Sequence, residues 1–237
     1  MKKGVKIAII IGVIILVIAL AGGYLFMNDI AQKAKIVEEF TQIEEITSSE
    51  DFDITALNEK TENIVATGKY ATVEKAAKNY ARDLFNTVYK IKTLMEDERM
   101  AKLLTVENYQ KDGPEFVETK KYLNETKQQL EENRKEMLSY LEENKINSYI
   151  EAETTNAYCI NMYQEFITQD IEISEKERNE LESSMDKLVR MLDIEAEVID
   201  FLIANKGKWQ VQGEQIAFNS NSLVTTYNGF LTKLRIL

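Results

Sequence analysis

The sequence predicts an all-α protein with an N-terminal transmembrane helix, an elongated antiparallel helical bundle, and a small β-hairpin before the last helix. Three observations predict this fold. An uncharged apolar run occupies residues 7–27. The chain contains 1 proline in 237 residues, and proline interrupts helices. Apolar residues recur at three- to four-residue spacing along most of the remaining sequence, which is typical of amphipathic helices.

The apolar run at 7–27 has the length of a membrane-spanning helix. At 1.5 Å per residue it extends over roughly 31 Å, close to the hydrocarbon thickness of a bilayer. Lys2, Lys3 and Lys6 precede the run. Because lysines are retained on the cytoplasmic side, residues 1–6 are predicted to be a basic cytoplasmic N-terminus, and residues 28–237 an extracytoplasmic bundle. We expect a single-pass protein of a bacterial cell membrane.

A cleaved signal peptide is the alternative interpretation of the same run. Ala19-Leu20-Ala21 fits a small-residue cleavage site that would be cut between Ala21 and Gly22, and residues 7–20 have the length of a signal-peptide core. The apolar run continues past this point to Met27, which favours the uncleaved anchor. Both interpretations predict an exported bundle.

The helix predictions follow from the apolar periodicity and from the residues that interrupt it. The anchor helix is expected to continue to about 46, where Thr47 to Asp51 form a break, and a short helix at about 52–67 ends before Gly68. Asp112-Gly113-Pro114 is the clearest interruption of the chain. A capping box at Ser174 to Glu177 predicts the start of another helix. The longer helices are placed at about 69–104, 115–144, 148–171 and 175–205.

The helix at 115–144 has the narrowest apolar stripe. Its apolar residues recur once in seven positions, at Phe116, Leu123, Leu130 and Met137. We therefore expect this helix to be the most exposed of the bundle, and it is the candidate docking face for a partner protein.

A change of period predicts the hairpin at about 208–218. Trp209 and Val211 alternate with polar residues, as do Ile216 and Phe218, around a possible turn at 212–214. An isolated two-stranded hairpin is marginal in water, so it must lean on the bundle through Trp209 and Phe218. Together with Tyr227 of the last helix, these rings could bind a sugar or a peptide. The favoured interpretation is a structural lid over one end of the bundle.

Charge and composition exclude several classes of function. The chain has 40 acidic and 29 basic residues, and its first 27 residues include three lysines and no acid, so residues 28–237 carry a net charge of −14. Such a surface repels phosphate backbones, and nucleic acid is not expected as a partner. The absence of histidine excludes Ser-His-Asp and Cys-His catalysis and the usual zinc sites. Cys159 is expected to be a core residue. We expect no cofactor, no metal and no catalysis.

One polar level within the bundle is the candidate binding site. Glu195 falls within an apolar arc of its helix, while Glu153 and Asn156 fall in the same stripe as Tyr149. If these helices fold back antiparallel, the four residues share one level. Because a buried carboxylate must be paired or neutralised, the level is either a pocket for a polar ligand or cation, or a set of ion pairs, or an opening to water.

The sequence therefore predicts a membrane-anchored, non-catalytic envelope scaffold or partner-binding protein. The alternative is a sensory bundle that binds a small ligand and signals through a partner, because the layout resembles the extracytoplasmic part of chemoreceptors. A carboxylate-only enzyme is a third class, which a bundle favours least because catalytic pockets lie in clefts. The layout is also similar to LemA-type membrane proteins.

Overall fold

The computed structural model describes residues 30–48, 52–168 and 175–237 of the chain. It confirms a mostly helical fold with an antiparallel two-stranded hairpin before the last helix. The elements are α1 (Ile30–Thr47), α2 (Ile54–Glu62), α3 (Lys69–Glu96), α4 (Glu98–Lys102), α5 (Val106–Asp112), α6 (Val117–Ser139), α7 (Glu143–Glu151), α8 (Ala157–Thr168), α9 (Glu175–Ala204), β1 (Trp209–Gln212), β2 (Gln215–Phe218) and α10 (Asn221–Ile236).

Helix α3 is the central element of the bundle. Its apolar stripe is buried along the whole helix, from Tyr70 to Met95. Helices α2, α6, α7 and α8 all pack against it, and α6 joins it to α9. These helices together cover the apolar face of α3 and form a core that extends along its length.

Three ion pairs fix the alignment of α6 against α9. They recur every seven residues on both helices, in opposite directions: Lys120 with Asp200, Lys127 with Asp193, and Arg134 with Asp186. The nitrogen–oxygen distances are 2.6–2.7 Å. The two helices therefore run antiparallel, in a register that these pairs specify.

The predicted anchor at residues 7–27 lies outside the described residues. Within 30–48, 52–168 and 175–237, no helix has both the length and the apolarity that crossing a membrane requires. Ser174 of the predicted capping box also lies outside the described residues.

Two of the predicted long helices are interrupted in the structure. The predicted helix at 69–104 ends at Glu96, because the Asp97 side chain accepts a hydrogen bond from the backbone N–H of Arg99 and starts α4. The predicted helix at 148–171 is divided between α7 and α8. There, the Asn156 side chain accepts a hydrogen bond from the backbone N–H of Tyr158 and caps α8. Aspartate and asparagine are strong N-caps, so local capping overrides the continuous apolar period.

The remaining differences concern shorter segments and exposure. Helix α2 ends at Glu62, earlier than predicted, and residues 63–67 are not helical. Helix α6 covers a shorter span than the predicted 115–144. The expectation that this helix is the most exposed is wrong, because α10 buries only Tyr227 whereas α6 buries a stripe of six side chains.

The bundle has two distinct ends. At the first end, which we call the base, the Gln32 side chain of α1 donates a hydrogen bond to the Thr67 hydroxyl and accepts one from the Thr67 backbone N–H, both 3.0 Å long. Lys69 and Tyr158 lie beside them. At the second end, the hairpin end, the hairpin packs beyond the C-terminus of α3. Because α3 has 28 residues, the two ends lie more than about 40 Å apart.

The hairpin end is closed by stacked aromatic rings around Gly113. The Trp209 ring lies over Phe116, with ring centroids 6.0 Å apart, and contacts Tyr109 at 6.2 Å. Its indole N–H donates a hydrogen bond of 2.8 Å to the carbonyl of Leu202. These contacts bear out the expectation that the hairpin leans on the bundle through Trp209.

We predict that Gly113→Ala destabilises the protein by about 1–3 kcal/mol, because an added methyl group overpacks this end. The new Cβ atom would press on the carbonyl oxygen of Tyr109 and lie 3.0 Å from the Trp209 ring. Urea denaturation measures the change in the free energy of unfolding.

Gly229→Ala is the matched control. A Cβ atom at Gly229 has no neighbour within 4 Å, and the residue lies within α10. Alanine there should stabilise the protein by up to about 1 kcal/mol through helix propensity. Equal effects of the two substitutions would contradict the packing described at Gly113.

Candidate functional site

A buried cluster of charges joins the first helices of the bundle. Lys78 and Glu74 of α3 are fully buried, with 0% exposure, and their side chains form an ion pair of 2.7 Å. Glu39 of α1 contacts the same ammonium group at 2.6 Å and also contacts Lys60 of α2 at 2.7 Å. The Lys78 ammonium group donates a further hydrogen bond to the carbonyl of Asn63.

The other oxygen contacts of Glu74 hold the connection between α2 and α3. The carboxylate accepts hydrogen bonds from the backbone N–H groups of Val65, at 3.1 and 3.2 Å, and Ala66, at 2.7 Å. Backbone donors in a non-helical segment need partners when they are buried. The carboxylate supplies them, and the cluster thereby fixes α1, α2 and residues 63–67 against α3.

Two opposing effects act on the pKa of Glu39. Burial alone would raise it, but the hydrogen bonds from Lys60 and Lys78, together with their positive charges, outweigh burial and hold the pKa of Glu39 below its ordinary value. The ionised carboxylate is therefore the form that the folded protein favours.

The sequence analysis did not predict this buried charge cluster, although the spacing of Glu74 and Lys78 indicates that the two side chains can pair. Glu74 and Lys78 are spaced i,i+4 and lie beside Val73 and Ala77 of the apolar stripe. Such pairs are usually exposed, because Lys and Glu are seldom fully buried. The sequence does not reveal that Glu39, which is distant along the chain, completes the set.

Three of the four predicted site residues lie around the α7–α8 connection. The Tyr149 hydroxyl donates a hydrogen bond of 2.8 Å to Asp83 on α3, and Glu153 pairs with Lys75 on α3 at 2.8 Å. Asn156 is exposed and caps α8. Burial, followed by the bond to Asp83, raises the pKa of Tyr149. Of these three residues, Glu153 therefore has the ion-pair partner that one of the interpretations predicts.

Glu195 lies at a different level of the bundle. In the α6–α9 register it lies at the same level as residue 125 of α6. Tyr149, in contrast, packs on the Tyr80 ring, whose hydroxyl donates to the carbonyl of Tyr140. Fifteen helical residues separate positions 125 and 140, which is about 22 Å along the axis. The structure therefore does not bring the four residues to one level, because α7 and α8 pack on α3 and not as one helix along α9. Their role in binding stays a prediction.

The surroundings of Glu195 are aromatic. Glu195 is 7% exposed, and its charge contributes to raising the pKa of Tyr109, after burial and the contact with Tyr227. The Tyr109 and Tyr227 hydroxyls lie 2.9 Å apart. Burial also raises the pKa of Tyr122, so these tyrosines stay neutral within the core.

The three predicted lid residues meet at the hairpin end. The Phe218 ring packs between Phe201 on α9 and Tyr227 on α10, with centroid distances of 6.0 and 5.3 Å. Trp209 packs on the rings around Gly113. The rings contact each other and the bundle, and their role, as a structural lid or as a ligand site, stays a prediction.

Within the described parts of the chain, no group of three or more Cys, Asp and Glu side chains is arranged to hold a metal ion.

Comparison with known proteins gives no relative. No family description matches the chain, no curated protein is similar to it at a significant level, and no solved structure shares its fold at a significant level.

We predict that Lys78→Met destabilises the protein by about 3–5 kcal/mol, because it leaves the Glu74 carboxylate buried without its cation and removes one of the two cations that contact Glu39. Urea denaturation measures the effect. The control is Lys102→Met, which removes an exposed pair with Glu98 and should change the stability by about 0.5 kcal/mol or less. Similar losses in both variants would rule out a stabilising role for the buried cation.

The lowered pKa of Glu39 predicts a specific dependence of stability on pH. A carboxylate whose pKa is lowered in the folded state stabilises the fold at pH values above its pKa in the unfolded chain, which is ordinarily 4.5. That stabilisation is lost as the pH falls through the pKa of the folded state. The stability difference between the wild type and Glu39→Gln should therefore narrow between about pH 6 and pH 3. Denaturation at each pH measures the difference. An exposed substitution on α2, Glu59→Gln, should stay close to the wild type throughout, and a Glu39→Gln difference independent of pH would contradict the prediction.

Proposed function

We propose that this chain is a single-pass protein of a bacterial envelope membrane whose extracytoplasmic helical bundle binds a partner protein without catalysing a reaction. The proposal places residues 7–27 in the bilayer, with Lys2, Lys3 and Lys6 on the cytoplasmic side. The bundle then acts as a scaffold at the membrane surface.

The position of α1 is the observation that supports this proposal most. The described chain begins with α1 at the base, next to Thr67 and Lys69, and the hairpin end lies more than about 40 Å away. An anchor that enters at one end of a long bundle leaves the opposite end and the sides free. Such an arrangement suits a protein that presents a surface to another protein.

The outer face of α6 is the candidate docking face. Its inner stripe packs between α3 and α9, while exposed polar residues of both charges follow the outer side over the full helix: Lys121, Glu125, Gln128, Glu132 and Lys135. Mixed charge of this kind favours recognition of a partner with a complementary charge pattern.

We predict that a photoreactive side chain at Gln128 captures a partner protein in intact cells. The matched control is the same side chain at Glu59, an exposed helical position on α2. We expect a discrete crosslinked product from Gln128 and none from Glu59, detected by immunoblotting. A product that forms equally at both positions, or no product at either, would contradict docking through α6.

Protease protection tests the orientation in the same cells. A protease added outside spheroplasts should degrade the bundle and leave an N-terminal fragment in the membrane. A bundle that is cut only after lysis would exclude the proposed topology.

A further inference from the structure

The base of the bundle differs in charge from the rest of the protein. Two segments meet there, residues 63–73 and residues 154–164. The first contains a single charged residue, Lys69, and the second contains none, although 29% of the whole chain is charged. The base therefore lacks the acidic character that makes residues 28–237 repel anionic surfaces.

A lysine and a tyrosine form a contact on this surface. The Lys69 ammonium nitrogen lies 3.8 Å from the centre of the Tyr158 ring, which is 43% exposed. The interaction with Tyr158 raises the pKa of Lys69, so the amine stays protonated. Tyrosine and lysine are the side chains typical of the headgroup region of membranes, where a ring meets the apolar boundary and a cation meets phosphate.

The length of the chain before α1 places this surface close to the membrane. Gln32 follows Met27, the last residue of the apolar run, by five positions, and five positions span at most about 18 Å. Gln32 is in turn hydrogen-bonded to Thr67 at the base. If residues 7–27 cross the bilayer, the base cannot lie far from its surface.

We infer that the base of the bundle docks on the bilayer surface, with Lys69 and Tyr158 in the headgroup region and the hairpin end directed away from the membrane. The inference rests on the proposed membrane anchor. The charges that border the base are of both signs: Lys35 is an exposed cation on α1, and Glu153 is paired with Lys75. Glu151 at the end of α7, and Glu62 and Glu165 just outside the two segments, are exposed acids.

The single tryptophan makes the orientation measurable. Trp209 lies at the hairpin end, so its emission reports the end that should stay away from lipid. The full chain is reconstituted into vesicles of phosphatidylcholine and phosphatidylglycerol that carry a nitroxide quencher on the headgroup. We expect the wild-type emission to be unchanged by the quencher, and the emission that Tyr158→Trp adds to be lost.

Charge reversal tests the part played by the cation. Lys69→Glu in the Tyr158→Trp background should reduce the quenching, and more strongly when phosphatidylglycerol is present. Lys102→Glu is the matched control, since Lys102 is an exposed lysine on α4 near the opposite end of α3. It makes the same change of charge and should leave the quenching unaltered.

The outcomes separate this inference from the proposed anchor. If the chain floats with the vesicles but the emission added by Tyr158→Trp is quenched no more than that of Trp209, the docking inference is wrong and the anchor stands. Quenching of Trp209 in the wild type would also overturn it, by placing the hairpin end on the lipid. If the chain does not float with the vesicles, the anchor fails, and the docking inference fails with it.

Discussion

The Lys78 ammonium group lies at a position that is closed to solvent. Helices α1, α2 and α3 are arranged around it. An ammonium ion in the protein interior is stable only when its donors find partners. Two carboxylates and one carbonyl supply them here, and they come from α1, α3 and the α2–α3 connection. The interaction is directional, so it admits one register of α1 on α3, whereas apolar stripes alone would tolerate sliding.

The other half of the bundle is aligned by different means. Between α6 and α9 the polar contacts lie at the edge of the apolar seam, partly exposed, and repeat with the heptad spacing. Exposed pairs contribute little stability individually, and their value here lies in the alignment they select. At the hairpin end, aromatic contacts join the elements, and the Tyr109–Tyr227 hydroxyl contact connects α5 to α10.

The elements that the sequence predicted well are those with long, uninterrupted periods or strong turn signals. The apolar stripes of α3, α6 and α9 and the alternation around residues 212–214 needed no tertiary information. The interruptions at Asp97 and Asn156 were hidden because apolar residues continue on both sides, although both are good capping residues.

The candidate site was less accessible to sequence reasoning. Tyr149 packs against the core and Glu195 is buried, whereas Glu153 lies in the turn between α7 and α8. The level of each residue in the bundle depends on which helix packs on which. A single helix over 148–171 that packed antiparallel to α9 would have placed Tyr149 and Glu153 beside Glu195. The break before α8 removes that alignment. Periodicity shows which face of a helix a residue occupies, but the partner across that face is set by the tertiary arrangement.

The hydrogen bonds of the Glu74 carboxylate restrict the length of the connection between α2 and α3. Surface connections usually tolerate added residues, because their backbone groups can turn to water. The connection at 63–67 is partly exposed. The backbone N–H groups of Val65 and Ala66 nevertheless donate hydrogen bonds to the two carboxylate oxygens of Glu74, which belongs to the following helix. One extra residue would carry these amides past the carboxylate and leave it facing Lys78 alone. This short loop therefore has a fixed length, whatever freedom its outward side chains retain.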